Sequence, residues 1–97
     1  MVLVAGPAQI SWPSLRRYLY QSRLTLAKPE EVLAVTGYVI GTVSPFGLPT
    51  PLRTLVDESV LAQDEISVGS GKKGVGIIMH REDLMRALGE VEVYRFT

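Results

Sequence analysis

The chain reads TGYVIGTVSPFGLPTP from Thr36 to Pro51, and this stretch decides which fold we expect. Its first part, Tyr38 to Val43, is apolar and β-branched and is interrupted by Gly41, so it predicts a strand. Its second part, Ser44 to Pro51, holds three prolines and one glycine in eight residues, which predicts a shaped loop. A strand that leads into a rigid loop is therefore the centre of the predicted fold.

One strand and two helices are predicted on the amino-terminal side of this stretch. Val2 to Ala5 is apolar and ends at the Gly6-Pro7 pair, as a strand closed by a turn does. Ser11, followed by Trp-Pro, is a helix-start signal, because serine caps free amides and proline fits the first turn; that helix should extend to about Tyr20. A second helix should begin at the Lys-Pro-Glu-Glu run and end at Gly37. The side chains expected to face the core are Trp12, Leu15, Tyr18, Leu19, Val32, Leu33 and Val35.

Four short strands and one more helix are predicted on the carboxyl-terminal side. The strands are expected at Leu52 to Asp57, Glu65 to Val68, Val75 to Met79 and Val91 to Phe96. A turn or a single helical turn is expected from Glu58 to Gln63, and an amphipathic helix from Arg81 to Leu88. The predicted fold class is α+β, a single domain over residues 1–97 with about six short strands and three helices.

The composition excludes several classes of protein. Of the 97 residues, 46% are hydrophobic and 21% charged, which fits a folded domain with one modest core and excludes a disordered chain. Ten basic and ten acidic residues balance, which argues against a protein that coats nucleic acid, although the basic residues between Arg16 and Lys28 could form a local patch. No apolar run reaches the roughly 20 residues of a membrane span, so we expect no membrane role and a cytoplasmic location. With no cysteine and one histidine, His80, the chain is expected to bind no metal.

The spacing Gly69-x-Gly71-x-x-Gly74 formally matches the dinucleotide-binding fingerprint. That fingerprint works where a strand, the glycines and a helix follow in order, since the amino terminus of the helix binds the pyrophosphate. Here a strand follows the glycines, so we expect no nicotinamide cofactor. Two interpretations of this segment remain, a β-hairpin turn or exposed backbone N–H groups close to a ligand.

Asp57 is the carboxylate of most interest, because it ends an apolar strand. It is either a turn-forming residue or part of a pocket, and the sequence leaves both interpretations open. Adjacent carboxylates such as Glu30 and Glu31 point in diverging directions, so they predict no acid/base pair.

Five motifs follow one another in a fixed order along the chain. They are the Thr36-Gly37 pair, the Gly41-x-x-x-Pro45 loop followed by Phe46-Gly47, the strand Thr54 to Asp57, the basic glycine turn within Ile66 to Gly74, and a helix that contains Asp83-Leu84. This ordered set, which spans about Val2 to Leu88, resembles the YbaK/ProX family of aminoacyl-tRNA editing domains. A Gly-x-x-x-Pro loop alone is weak evidence, but the order of five motifs is fairly specific.

The resemblance implies a fold and an activity. The fold is a small mixed β-barrel flanked by helices, and the activity is hydrolysis of mischarged tRNA of the proline type, such as cysteinyl- or alanyl-tRNA. The implied partner is the 3′ end of an aminoacyl-tRNA, and no metal or organic cofactor is implied. The implied catalytic residues are Gly41 through its backbone, Gly69 and Ser70. The implied substrate-binding residues are Thr42, Ser44, Pro45, Phe46, Gly47, Asp57, Gly71 and Lys72.

The chain also departs from the family pattern. Family members carry an upstream segment with a functional lysine that neither Lys28 nor Lys72 matches, so residues 1–97 are expected to form the carboxyl-terminal two-thirds of the family domain. Gly69 stands where one subgroup has serine, which leaves the edited amino acid open. Without the upstream segment the barrel would lack strands, and its exposed strand edges could pair with a second copy of the chain. We therefore expect a truncated domain or a homo-oligomer. The alternatives to an editing hydrolase are a non-catalytic module that binds tRNA or protein, and a chain that shares only the fold.

Overall fold

A computed structural model describes residues 1–6 and 8–97 of the chain. In chain order the elements are β1 (Val2–Leu3), α1 (Trp12–Leu19), α2 (Pro29–Thr36), β2 (Leu55–Asp57), α3 (Glu58–Leu61), β3 (Glu65–Gly69), β4 (Gly76–His80), α4 (Arg81–Leu88) and β5 (Glu92–Tyr94). The strands form a parallel sheet in the order β1-β2-β5 and an antiparallel sheet of β3 and β4. This arrangement confirms the α+β class. Over the described residues, no helix is long and apolar enough to cross a membrane.

The predicted barrel is not observed. The described residues form five strands in two open sheets and four helices, in place of a barrel-like sheet of about six strands with three helices. The fourth helix is α3, a single helical turn after Asp57, which is one of the two alternatives predicted for residues 58–63. Its first N–H groups are capped by Asp57, whose carboxylate accepts from the Ser59 N–H at 3.0 Å. The expected turn at Gly6-Pro7 includes Pro7, which lies outside the described residues.

The strand predicted from Tyr38 to Val43 is wrong. Gly37 and Gly41 both adopt positive φ angles, 78° and 89°, so the segment between them is bounded by two turns. Thr42 folds back on this segment, with its N–H and its hydroxyl both donating to the Val39 carbonyl. Because these local bonds replace strand pairing, the segment forms a compact loop and leaves Val39 exposed.

The two amino-terminal helices begin and end close to their predicted positions. Ser11 caps α1 by accepting from the Ser14 N–H, and Gly37 ends α2 in the left-handed conformation. The buried side predicted for α2 is wrong at Leu33 and Val35, which are 48% and 47% exposed, whereas Val32 is half-buried. The residue that α2 buries is Thr36, whose hydroxyl donates to the carbonyl one turn earlier.

The core lies on both faces of the parallel sheet. Successive residues of a strand point to opposite faces, so Leu55 and Val56 of β2 enter different clusters. On one face Leu55 packs with Leu15 of α1 and with Phe96, and the predicted α1 residues Trp12, Tyr18 and Leu19 pack around them, partly buried. On the other face Val56 packs with Val60 and Leu84 from α3 and α4, beside apolar residues of β3 and β4. Both faces of the sheet are therefore covered.

Candidate functional site

Two glycine-bearing segments that are far apart in the sequence meet at one place. We call residues 41–47 the Gly-Pro loop and residues 69–74 the glycine turn. The Gly71 N–H donates to the Thr42 carbonyl at 2.8 Å and links the two. A Cβ on Gly69 would lie 1.9 Å from the Val43 carbonyl oxygen, far inside van der Waals contact. Glycine is therefore required at position 69 for the two segments to approach this closely.

Tyr38 holds this junction together. A Cβ on Gly71 would lie 2.6 Å from the Tyr38 ring, so the glycine turn rests directly on that ring. The Tyr38 hydroxyl donates to the Phe46 carbonyl, and a Cβ on Gly47 would lie 3.0 Å from the same hydroxyl. One side chain thus contacts both segments. This role was not predicted, because the apolar pattern placed Tyr38 in a strand. The available signal was an aromatic hydroxyl between the Thr-Gly and Gly-x-x-x-Pro motifs.

A cleft of about 1050 Å³ runs beside this junction. One wall is formed by residues 1–6, which include β1, and the facing wall is formed by all of β3. Val60 and Leu84 from the core line it, and Val43 and Pro45 of the Gly-Pro loop reach it together with Gly69. In the described part of the chain, β1 pairs with β2 alone and β3 with β4 alone, so the cleft lies between the unpaired edges of the two sheets. Its lining is mostly apolar, with a few polar side chains at Ser59, Gln63, Glu65 and Ser67.

The structure brings most of the predicted site residues to this region. Pro45 and Gly69 line the cleft, while Gly41, Thr42 and Gly71 lie at or beside the junction. Ser44 is buried, and its hydroxyl accepts from the Phe46 N–H at 3.2 Å, which shapes the loop. The Phe46 ring packs against the core cluster around Val56, and Gly47 adjoins the Tyr38 hydroxyl.

Ser70 and Lys72 lie in the glycine turn itself. The Ser70 hydroxyl donates to the Val75 carbonyl at 2.6 Å and accepts from the Lys72 N–H at 3.2 Å. Both bonds close the turn, so in this conformation the hydroxyl stabilises the backbone that faces the Gly-Pro loop. Lys72 is exposed to solvent.

Asp57 lies away from the cleft, in the buried interior. One carboxylate oxygen accepts from the Phe96 N–H at 2.6 Å, and the other accepts from Ser59 and from the Thr97 hydroxyl. Burial raises the pKa of Asp57, but these hydrogen bonds outweigh burial and hold the pKa below its usual value. Of the two interpretations that the sequence left open, this geometry fits the turn-forming one. A charged Asp57 joins the start of α3 to residues 96–97.

The described residues contain no group of three or more His, Cys, Asp or Glu side chains placed to hold a metal ion. His80 precedes α4 as its N-cap residue, without a side-chain capping bond. The polar side chains that line the cleft are Ser59, Gln63, Glu65 and Ser67.

Comparison with known proteins gives a consistent result. The family model described as "Aminoacyl-tRNA editing domain" matches residues 1–87. A proline--tRNA ligase of Nautilia profundicola is 34% identical over 71 residues, which cover 68% of this chain and 12% of that protein. The multifunctional Ser/Thr-tRNA deacylase ProXp-y of Escherichia coli K12 is 27% identical over 97 residues, which cover 99% of this chain and 58% of that protein.

A solved structure is similar over nearly the whole chain. It belongs to a protein described as a candidate trans-editing enzyme for prolyl tRNA synthetase, with a TM-score of 0.86 and 30% sequence identity. The match covers 99% of this chain and 60% of that one. The chain thus spans less than two thirds of the length of these relatives.

Proposed function

The chain belongs to the family of aminoacyl-tRNA editing domains, and we propose from this that it hydrolyses the ester bond of mischarged tRNA, of the type that prolyl-tRNA synthetase produces. The observation that carries the proposal is the junction of the Gly-Pro loop with the glycine turn at one end of an apolar cleft. At such a site one ligand can contact both backbone groups and the apolar lining of the cleft.

This geometry suits ester hydrolysis. An aminoacyl ester is already activated, so the site has to hold the 3′ end, orient a water molecule and stabilise the oxyanion, for which backbone N–H groups serve well. Water adds to the carbonyl carbon, the bond to the ribose oxygen breaks, and that oxygen takes up the proton while the amino acid is released. The reaction needs no metal or organic cofactor.

We assign roles to the predicted residues accordingly. The Gly41 backbone, in the Gly-Pro loop, and Gly69, in the wall formed by β3, are assigned to the reacting carbonyl, and Ser70 fixes the glycine turn. Pro45 shapes the end of the cleft that takes the aminoacyl group, and the exposed Lys72 meets the RNA phosphates. Thr42, Ser44, Phe46, Gly47 and Gly71 hold the loops in this arrangement. Because tRNA is charged and used in the cytoplasm, the proposal also places the protein there.

The test is hydrolysis of a panel of mischarged tRNAs by this chain. The panel contains cysteinyl- and alanyl-tRNA for proline, together with seryl- and threonyl-tRNA, since one relative is named for the last two. We expect release of at least one amino acid above the uncatalysed rate, while correctly charged prolyl-tRNA stays intact. Failure of a folded chain to release any of the four amino acids would overturn the proposal.

One observation favours a second candidate, a module that binds tRNA without cleaving it. Among the described residues that line the cleft, none is a lysine or an arginine. A site of this kind could hold the 3′ end and yet lack a group that the reaction needs. Binding of tRNA by a chain that releases no amino acid would support this candidate.

We also propose that the chain self-associates through its strand edges. In the described part of the chain β4 pairs with β3 alone, and it exposes Ile77 and Ile78, which are 40% and 71% accessible. An unpaired edge with exposed isoleucines is a surface on which a second copy can add a strand.

A further inference from the structure

A surface at the carboxyl end of α1 combines arginines with exposed tyrosines, and the site described above does not use it. We call it the Arg-Tyr face and define it by Arg16, Arg17, Tyr18, Tyr20, Arg53 and Tyr94. Two shallow depressions lie on it and share Arg17 and Tyr20, and the larger has a volume of about 700 Å³. β5, which carries Tyr94, is at the opposite edge of the parallel sheet from β1 and the cleft.

Tyr20 is the unusual residue of this face. It ends α1 in the left-handed conformation with a φ of 55°, which is strained for a residue other than glycine or asparagine. Its side chain is 94% exposed and contributes little to the core. Neither helix capping, which glycine performs better, nor core packing explains a tyrosine at this position.

The other aromatic rings of the face pack against one another and are fixed by these contacts. The Tyr18 ring meets the Tyr94 ring edge to face, with the centroids 5.0 Å apart, and also contacts the buried ring of Phe96. The Arg53 guanidinium lies 6.0 Å above the Tyr18 ring. Tyr94 nevertheless stays 55% exposed. The Tyr94 ring is thus held in place by its neighbours, and half of it is open to a ligand.

The face is also locally positive, although the whole chain has no net charge. Glu92 pairs with Arg53 at 2.5 Å and neutralises it. The ion pairs of the described residues include neither Arg16 nor Arg17. Two arginines therefore flank exposed tyrosine rings with no acidic partner.

From these features we propose that the Arg-Tyr face binds RNA, with unpaired bases stacking on Tyr20 and Tyr94 and phosphates contacting Arg16 and Arg17. Aromatic rings beside arginines are the common means of binding single-stranded RNA, because every base has a face that stacks and every nucleotide brings a phosphate. In naming this RNA as tRNA, the inference rests on the proposed function.

The test is binding of fluorescently labelled, uncharged tRNA by the whole chain, measured by anisotropy over a series of salt concentrations. We expect Tyr20→Asn to weaken binding by about tenfold, within the range of one lost base stack. Tyr20→Phe keeps an aromatic ring and should bind as tightly as the wild type. Asparagine tolerates the left-handed conformation, so Tyr20→Asn should fold. Arg17→Ala should weaken binding and reduce the salt slope by about 0.7 to 1, as for one phosphate contact. Arg86→Ala on α4, an exposed arginine outside the face, is the matched control and should change little.

The outcomes separate this inference from the proposed function. Uncharged tRNA carries no ester, so loss of binding in Tyr20→Asn and Arg17→Ala supports the face even if the chain hydrolyses nothing. Wild-type binding in both variants would overturn the inference, whether or not hydrolysis is found. An equal loss in Arg86→Ala would also overturn it, since binding would then follow total charge and not the face.

Discussion

Gly69 shows how a single residue determines the geometry of the site. Its backbone belongs to β3 and at the same time touches the Val43 carbonyl of the Gly-Pro loop. Because its φ angle is ordinary, a side chain at this position is excluded by the contact with the loop and not by backbone strain. Gly69 stands where one subgroup of the family has serine. In this chain a side chain at that position would displace the Val43 carbonyl.

The first prediction concerns this contact. In Gly69→Ala the new methyl group forces the Val43 carbonyl away from β3, which should cost about 1 to 3 kcal/mol of unfolding free energy and lower the rate of tRNA deacylation at least tenfold. Urea unfolding and the hydrolysis assay measure the two effects. The control is Gly74→Asn, because Gly74 lies in the same turn with open space around it and asparagine accepts its positive φ. Equal activity in wild type and Gly69→Ala would show that this contact does not shape the site.

The second prediction concerns the Tyr38 hydroxyl. Tyr38→Phe keeps the ring under Gly71 but removes the bond to the Phe46 carbonyl, so we expect a loss of about 1 kcal/mol of stability. Deacylation should fall by more than this loss accounts for at a temperature where the variant is fully folded, because the Gly-Pro loop is no longer fixed. Tyr20→Phe, which removes an exposed hydroxyl, is the control for stability. If Tyr38→Phe were as active as wild type, Tyr38 would have no positioning role.

At the scale of elements, helices were easier to predict than strands. Ser11 and Gly37 carry local signals, a side chain that caps or a glycine that ends a helix, and α1 and α2 follow them. The strand predicted at Tyr38 to Val43 failed because apolar, β-branched composition says nothing of the two glycine turns that enclose it. The prediction that Leu33 and Val35 of α2 are buried was also wrong, since burial depends on which element packs against the helix.

The third prediction concerns Glu92 of β5, whose carboxylate joins Tyr18 of α1 to Arg53 in the segment before β2. Hydrogen bonding to Arg53, and then to Tyr18, lowers the pKa of Glu92 to about 2 from its usual 4.5. A depressed carboxyl pKa stabilises the fold above the unfolded-state value and loses that effect as the pH falls. Glu92→Gln should therefore be less stable than wild type at pH 7. The difference should shrink as the pH falls from about 4.5 towards 2, in urea unfolding at several pH values. A difference that is constant with pH would exclude this linkage.

The fourth prediction concerns association of whole molecules through the β3–β4 hairpin. If β4 adds a strand from a second copy, the chain should form dimers or larger assemblies in a concentration series followed by light scattering. Ile78→Lys places a charge on that edge and should shift the protein towards monomer. Leu26→Lys adds the same charge at another exposed apolar position and is the control. A wild-type chain that stays monomeric at every concentration would contradict self-association.

On the scale of the whole molecule, the order of the motifs predicted a contact between distant segments that the strand pattern did not. The motifs at Gly41 to Gly47 and Gly69 to Gly74 do meet, because their order along the chain carries information about their position in space. The cleft was not predicted, since it arises between two strands of different sheets and no local pattern records that distance. Asp57 was left open for the same reason, because its donors at Phe96 and Thr97 are distant in sequence.

The bond between Asp57 and Phe96 also has a consequence for biosynthesis. The two residues are 39 positions apart, and the donor is made after the acceptor. Until the ribosome has added residue 96, the Asp57 carboxylate lacks one of the N–H groups that it accepts from in the interior. Burying this charge would then be costly, so we expect β2 to stay hydrated. Residue 96 must leave the exit tunnel before that carboxylate is buried with all its partners. A nascent chain from which residue 96 has not yet emerged therefore lacks part of the final core and is only a loose precursor of the domain.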